Sequence, residues 1–145
     1  MRGNHATNNA ARDLRDHLGL RQPAPATAEA AAPVITVGLD CEWDTSEGMD
    51  ADSTCADVVQ LAYHPPTSGK THVLVCQLDG SAIPEQLCML LTDSRVLFVG
   101  RAISGDISRL VANMKDWESC TIQSTDVAGC AKKGDLSATQ LSLSC

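Results

Sequence analysis

The chain lacks an excess of positive charge, a long apolar run and a paired cysteine motif. Its 145 residues include 11 basic and 18 acidic ones, for a formal net charge of −7. That balance argues against a protein that binds nucleic acid through its overall positive charge. It allows an enzyme that binds a strand end through a few contacts and metal ions. No apolar run approaches the roughly 20 residues of a membrane-spanning helix, so we expect no membrane association.

The seven cysteines are odd in number and include no Cys-x-x-Cys pair. Because most lie in apolar stretches, buried free thiols in a reducing compartment are favoured over a disulfide framework, and a thiol-based metal site is disfavoured. The N-terminus has no continuous apolar segment of the secretory kind. Its arginines hint at a mitochondrial presequence, which Asp13 and Asp16 weaken. We expect an intracellular protein, with nucleus and cytoplasm not distinguished.

The first 32 residues differ in composition from the rest of the chain. They are rich in Ala and Asn and contain Gln22-Pro-Ala-Pro-Ala-Thr27, with a weak helical signal over residues 8–19. We therefore predict a disordered or weakly helical tail over residues 1–32, and one folded domain over residues 33–145.

The most informative segment is Val34-Ile-Thr-Val-Gly-Leu-Asp-Cys-Glu-Trp43. Its apolar, β-branched run predicts a central strand covered on both faces. Side chains alternate along a strand, so Asp40 and Glu42 point the same way. Two adjacent acids at the end of a buried strand need a proton or a cation, and an oxygen-only site favours Mg²⁺ or Mn²⁺. The segment indicates metal-dependent chemistry on phosphate, with Cys41 and Trp43 packing on the opposite face.

The remaining signals alternate between strands and helices. The predicted strands are Val34–Leu39, Val58–Tyr63, His72–Leu78, Val96–Val99 and Thr121–Val127. Pro84 suits the first turn of a helix between the third and fourth strands, and Ser104 is the expected N-cap of a helix between the fourth and fifth. A β-meander followed by βαβ crossovers predicts a mixed α/β sheet.

A third acid, Asp106, falls in the first turn of the second predicted helix. A lone aspartate there could simply meet unpaired backbone N–H groups and the positive end of the helix dipole. If the strand Val96–Val99 lies parallel beside Val34–Leu39, however, Asp106 comes close to Asp40 and Glu42 at the carboxyl ends of the strands. Open α/β sheets place their sites at that edge.

Two motifs carry a family resemblance. Val37-Gly-Leu-Asp-Cys-Glu-Trp43 resembles the first exonuclease motif of the DEDD superfamily of 3′–5′ exonucleases, especially its Werner-syndrome-like and ribonuclease D-like branch. Phe98-Val-Gly-Arg-Ala-Ile-Ser-Gly-Asp-Ile-Ser-Arg-Leu110 resembles the second motif. Shorter matches, such as Val59-Gln-Leu-Ala62 and Ser124-Thr-Asp-Val-Ala128, extend the resemblance in order over residues 34–145.

The resemblance implies a ribonuclease H-like fold and hydrolysis of nucleotides from the 3′ end of DNA or RNA with two metal ions, Mg²⁺ or Mn²⁺. Asp40 resembles the residue that bridges both metals, Glu42 a ligand of one, and Asp106 a ligand acting on the second, partly through water. Arg101 and Arg109 are the candidate contacts to the nucleic-acid backbone.

The family's third motif has a tyrosine or histidine four positions before an aspartate, and no such pair follows Asp106. The only tyrosine is Tyr63 and the last histidine is His72. We therefore expect a truncated domain without the C-terminal helices, with weak activity or none, and an exposed apolar sheet face that favours aggregation or a protein partner. The alternative reading is a catalytically inactive module that binds nucleic acid or protein. Binding to the nucleic-acid backbone should persist in the presence of a chelator, whereas the enzyme requires divalent cations.

Overall fold

A computed structural model describes residues 2–22, 35–44, 55–78, 82–114 and 120–127. The helices are α1 (Arg2–His17), α2 (Glu85–Leu91) and α3 (Ile103–Ala112). The strands are β1 (Ile35–Glu42), β2 (Val58–Tyr63), β3 (His72–Gln77), β4 (Val96–Gly100) and β5 (Ser124–Asp126). No helix within these ranges is long and apolar enough to cross a membrane.

The five strands form one mixed sheet in the order β3-β2-β1-β4-β5. β1 pairs antiparallel with β2, which pairs antiparallel with β3. β4 runs parallel to β1, and β5 runs parallel to β4. This is the predicted arrangement of a meander followed by βαβ units, and it brings the carboxyl ends of β1 and β4 to the same edge.

One face of the sheet carries the core. The buried strand residues, which all lie on this face, are Val37, Leu39, Cys41, Val59, Leu61, Cys76, Val96 and Phe98. They join side chains of the three helices in one apolar cluster. α1 packs on α2 and β3, while α3 packs on β1 and β5.

The opposite face, which we call the open face, has no buried residue among the described strands. Thr36, Asp40 and Glu42 of β1 are exposed there, so the prediction that this strand is covered on both faces is wrong. On β3, Val73 and Val75 are each 62% exposed. The three described helices all contribute to the core on the other face, which leaves this one accessible to solvent.

The N-terminal segment is more ordered than the sequence predicted. Residues 2–17 form a helix whose Ala11 and Leu14 belong to the core. Asn8 accepts a hydrogen bond from the backbone N–H of Gln86 at 2.9 Å, and the Arg15 guanidinium donates to the side chain of Gln86 at 2.7 Å. This stretch is therefore a packed helix, where the sequence predicted a disordered or weakly helical tail. Residues 23–32 lie outside the described residues, and the domain division stays a prediction.

The helix α3 begins one residue before the predicted N-cap. Ala102 precedes it in the left-handed conformation, with φ of 52°, and no side chain caps the first turn. Ser104 lies inside the helix, where its carbonyl accepts from the Ser108 hydroxyl at 2.9 Å. The start of α3 is thus set by the sharp turn after β4, and not by a residue type that favours the N-cap position.

Candidate metal site at the end of the first strand

The strand β1 continues through both acids of the first motif. Asp40 lies opposite Gln60 and Glu42 opposite Val58 in the antiparallel ladder with β2. The predicted end of this strand at Leu39 is therefore too early. Ladder pairing fixes the alternation, so the two carboxylates share the open face and are exposed, whereas Cys41 belongs to the buried face. This confirms the predicted side-by-side pair of acids.

Asp106 lies in the first turn of α3 and is only 5% exposed. Burial raises the pKa of its carboxyl group above the ordinary value of 3.8, and the negative charges of Asp40 and Glu42 raise this pKa further. The positive charge of Arg109 acts in the opposite direction. The three acids are thus within electrostatic reach of one another, as expected from a parallel β1 and β4.

The three acids approach the strand end from two sides. Asp40 and Glu42 stand on the open face, while α3 packs on the face that carries Cys41 and Trp43. Consistent with this, no group of three His, Cys, Asp or Glu side chains in the described ranges is close enough together to hold a metal ion as it stands. The donor set still fits Mg²⁺ or Mn²⁺ in chemistry, because it consists only of carboxylate oxygens, which are the hard ligands that these ions prefer.

The two arginines of the second motif have different surroundings. Arg101 is exposed in the turn after β4, where a nucleic-acid backbone could reach it. The guanidinium carbon of Arg109 lies 3.7 Å from the centre of the Trp43 ring, in a cation–π contact. Sequence reasoning assigned Trp43 to packing alone and missed this contact. The available signal was the spacing of Asp106 and Arg109, since residues three apart share a helix face.

The thiol at the strand end, Cys41, has a strongly raised pKa. Burial raises the pKa of Cys41 to about 12, and the neighbouring charges of Asp106 and Asp40 act in the same direction. Burial likewise raises the pKa of Cys76 to about 11. Both thiols are therefore protonated at neutral pH in the metal-free chain, and both are free and buried, as predicted.

Replacing Asp106 with Asn should stabilise the chain at neutral pH. The pKa of Asp106 is higher in the folded chain than in the unfolded chain, where it is near 3.8. Its contribution to stability is therefore fully present when the pH is below the unfolded pKa, and it is lost as the pH rises through the folded pKa. The amide of the substituted side chain carries no charge to bury, so we expect Asp106→Asn to gain about 1 kcal/mol, or about 3 °C in Tm, at pH 7.5. Circular dichroism melts between pH 4 and 8 measure the difference, which should shrink towards pH 4.

Asp93 provides a control of opposite sign. Burial raises its pKa, but hydrogen bonds and the charge of Arg95 outweigh this and hold the pKa below the ordinary value. The stability that this ion pair contributes is present above the unfolded pKa and lost as the pH falls. Asp93→Asn should therefore lower Tm at pH 7.5. If Asp106→Asn and Asp93→Asn lowered Tm by the same amount at each pH, the conclusion that burial of Asp106 outweighs its favourable contacts would be contradicted.

Comparison with known proteins identifies structures of similar fold. No family model matches the chain, and no curated protein matches it by sequence. Several solved structures are similar to it, among them the following three. The exonuclease domain of EXD2, in crystals soaked with Mg and GMP, is 21% identical with a TM-score of 0.53, over 86% of this chain and 53% of that chain. The same domain soaked with Mn and GMP is 18% identical with a TM-score of 0.53, over 91% and 57%. Brucella melitensis NrnC with bound Mg²⁺ is 19% identical with a TM-score of 0.49, over 77% and 49%.

The likeness to the EXD2 domain shows the fold of this chain. It confirms the predicted α/β, ribonuclease H-like architecture and the resemblance to exonuclease domains from which that prediction came. The chain spans a little over half the length of the two EXD2 structures, 53% and 57%. The prediction that the C-terminal helices of the family are missing stays a prediction, since the described residues end at 127.

Proposed function

We propose that this chain is part of a metal-dependent 3′–5′ exonuclease domain, with a divalent ion held by Asp40, Glu42 and Asp106. The observation that carries this proposal is the position of the acids. An exposed pair ends β1, and a buried acid with a raised pKa follows the adjacent parallel strand β4. The EXD2 structures, soaked with Mg or Mn and with GMP, support an ion of this kind and a nucleotide product.

A bound Mg²⁺ or Mn²⁺ would lower the pKa of water and stabilise charge on the departing 3′ oxygen. Asp40 and Glu42, both exposed on the open face, would hold such an ion. Asp106 completes the set from α3, directly or through water. Arg101, exposed beyond β4, is the proposed contact to the phosphate backbone.

The proposal is tested with a 3′-labelled oligonucleotide. Stepwise release of the 3′ nucleotide should require Mg²⁺ or Mn²⁺ and stop with EDTA. Because no tyrosine or histidine follows His72, the chain has no candidate for the water-orienting residue that the family resemblance implies. Turnover by this chain alone should therefore be orders of magnitude below that of a complete domain. Equal cleavage in EDTA would refute a metal mechanism.

The second candidate function is a binding module, and the open face favours it. Val73 and Val75 form an exposed β-branched pair on β3, which is the edge strand of the described sheet. Such a surface favours contact with another protein or with a second copy of the chain. Under this proposal, binding to nucleic acid or protein persists with chelator, because no divalent ion takes part.

Replacing Val73 and Val75 with Thr should reduce self-association without unfolding the chain. Both side chains are already in solvent, so adding hydroxyl groups there costs little, and analytical ultracentrifugation should show a shift towards monomer. Val59→Thr on the neighbouring strand is the control, since Val59 is fully buried and the change should cost about 2 kcal/mol. An unchanged association constant in the double variant would argue against the open face as an interface.

A further inference from the structure

The outer edge of β3 presents main-chain groups that no described strand pairs with. The Gln77 carbonyl points outward, since it accepts a hydrogen bond from the Thr7 hydroxyl at 3.2 Å. The next N–H group, that of Leu78, points to the other side and donates to the Asp57 carbonyl, next to β2, at 2.6 Å. These two hydrogen bonds establish which main-chain groups of β3 face β2 and which face outward.

Val73 and Val75 share the outward orientation of Gln77, because main-chain groups of an antiparallel strand turn to alternate sides from one residue to the next. Each valine offers one N–H donor and one C=O acceptor at the edge. The strand His72–Gln77 contains no Lys, Asp, Glu or Pro, the residues that commonly prevent further pairing at an edge. This edge can therefore accept one more extended strand.

A groove of about 250 Å³ lies beside this edge, between α1 and β3. Its apolar lining includes Ala10 and Leu14 of α1 and Leu74 of β3, and Val73 borders it. Because side chains alternate along a strand, one side chain of an added strand would enter the groove, and its neighbours would lie beside the exposed valines on the open face. The apolar lining favours an aromatic or large aliphatic side chain in the groove.

Charge distinguishes between the partners that could supply such a strand. The chain has a formal net charge of −7, so two copies repel each other at a shared edge. A segment that carries Lys or Arg is instead attracted to the chain. The charge balance therefore favours a basic segment of another protein over a second copy.

We propose that the groove between α1 and β3 binds an extended, basic segment of another protein, which adds to β3 as an antiparallel strand. This inference rests on the second candidate function, a binding module, and specifies its partner. Main-chain hydrogen bonds to Val73 and Val75 supply affinity, and the side chain in the groove supplies specificity.

The test measures binding of a fluorescein-labelled peptide, Lys-Thr-Val-Phe-Val-Thr-Lys, to the full chain by fluorescence anisotropy in EDTA. The phenylalanine suits the groove, and the two valines suit the open face. In the antiparallel arrangement the valine N–H groups point to β3 and the phenylalanine N–H group points away. N-methylation of both valines should therefore lower the affinity at least about tenfold, and N-methylation of the phenylalanine should change it less than about threefold. All three peptides carry the same charge.

Variants of the chain test the edge and the groove separately. Val75→Pro removes one outward N–H group, and Ala10→Leu partly fills the groove. Each should lower the affinity for the unmethylated peptide at least about fivefold. Ala6→Leu is the matched control, since Ala6 is an exposed residue of the same helix, and its affinity should stay within about twofold of wild type. Circular dichroism establishes that each variant is folded.

Equal affinity for the three peptides, or an unchanged affinity in Ala10→Leu, overturns this inference. It is also overturned if the peptide does not bind while the chain self-associates and Val75→Pro abolishes that association, because a second copy then occupies the edge. In that case the second candidate function stands. Absence of both peptide binding and self-association overturns the second candidate function as well. The exonuclease proposal is tested separately, because EDTA is present throughout these measurements.

Discussion

Replacing Asp40 with Asn should lower Mn²⁺ affinity at the strand end by at least roughly 100-fold and reduce 3′-end hydrolysis by roughly 1000-fold. The amide keeps the shape of the side chain but removes one of the two negative charges on the open face. Because Asp40 is exposed and its neighbour is an acid, the substitution relieves repulsion and should leave Tm unchanged or slightly raised. A loss of function without a loss of stability separates a ligand from a structural residue.

The measurements are Mn²⁺ titration and release of a 3′ label under identical conditions. Asp13→Asn is the matched control, since Asp13 is an exposed aspartate on α1 and the substitution is the same. It lowers the net negative charge equally, so any general effect of charge appears in both variants. Retention of full Mn²⁺ binding by Asp40→Asn would remove this residue from the proposed site.

Replacing Gly100 with Ala should be the most destabilising of the small substitutions, at about 3 kcal/mol or about 10 °C in Tm. A Cβ at this position would lie 2.5 Å from the backbone carbonyl oxygen of Leu39. That oxygen belongs to β1 immediately before Asp40, so relief of the contact must move β4 away from β1. The change should therefore also weaken divalent-ion binding, although Gly100 is not itself a ligand.

Gly105→Ala is the control for the second prediction, and its expected sign is opposite. A Cβ there meets nothing closer than the Arg109 guanidinium at 3.8 Å, which is ordinary contact. Alanine in the interior of α3 should raise stability by about 0.5–1 kcal/mol relative to glycine. Thermal melts and Mn²⁺ titrations of both variants measure the contrast. Similar melting temperatures for the two would show that β1 and β4 tolerate separation at this point.

The sheet could be predicted from the sequence because its signals are local. Val58–Tyr63 was predicted with the bounds that the structure shows, and its turn to the next strand is marked by Pro65 and Gly69. The parallel pairing of β1 with β4 followed from the order of elements. The predicted end of β1 was wrong because a nonlocal contact determines it. The strand extends to Glu42 because β2 continues to pair with it.

The N-terminal helix and the Trp43–Arg109 contact could not be predicted in the same way. The buried side of α1 includes Thr7 and Arg15, which weaken an apolar pattern and become buried only because α2 and β3 supply partners for them. The spacing of Asp106 and Arg109 puts both on one face of α3, but it does not identify Trp43, far earlier in the chain, as the ring on which Arg109 stacks. The acids themselves were predictable because strand alternation and the βα turn fix where they lie.

The attachment of α1 to α2 has a consequence for synthesis of the chain. Asn8 and Gln86, which hydrogen-bond in the finished protein, are 78 positions apart. At roughly 5–20 residues per second, the ribosome needs about 4–16 s to make the second after the first. The helix α1 therefore leaves the exit tunnel before α2, against which it packs, has been synthesised. Docking of α1 onto α2 therefore cannot precede synthesis of residue 86.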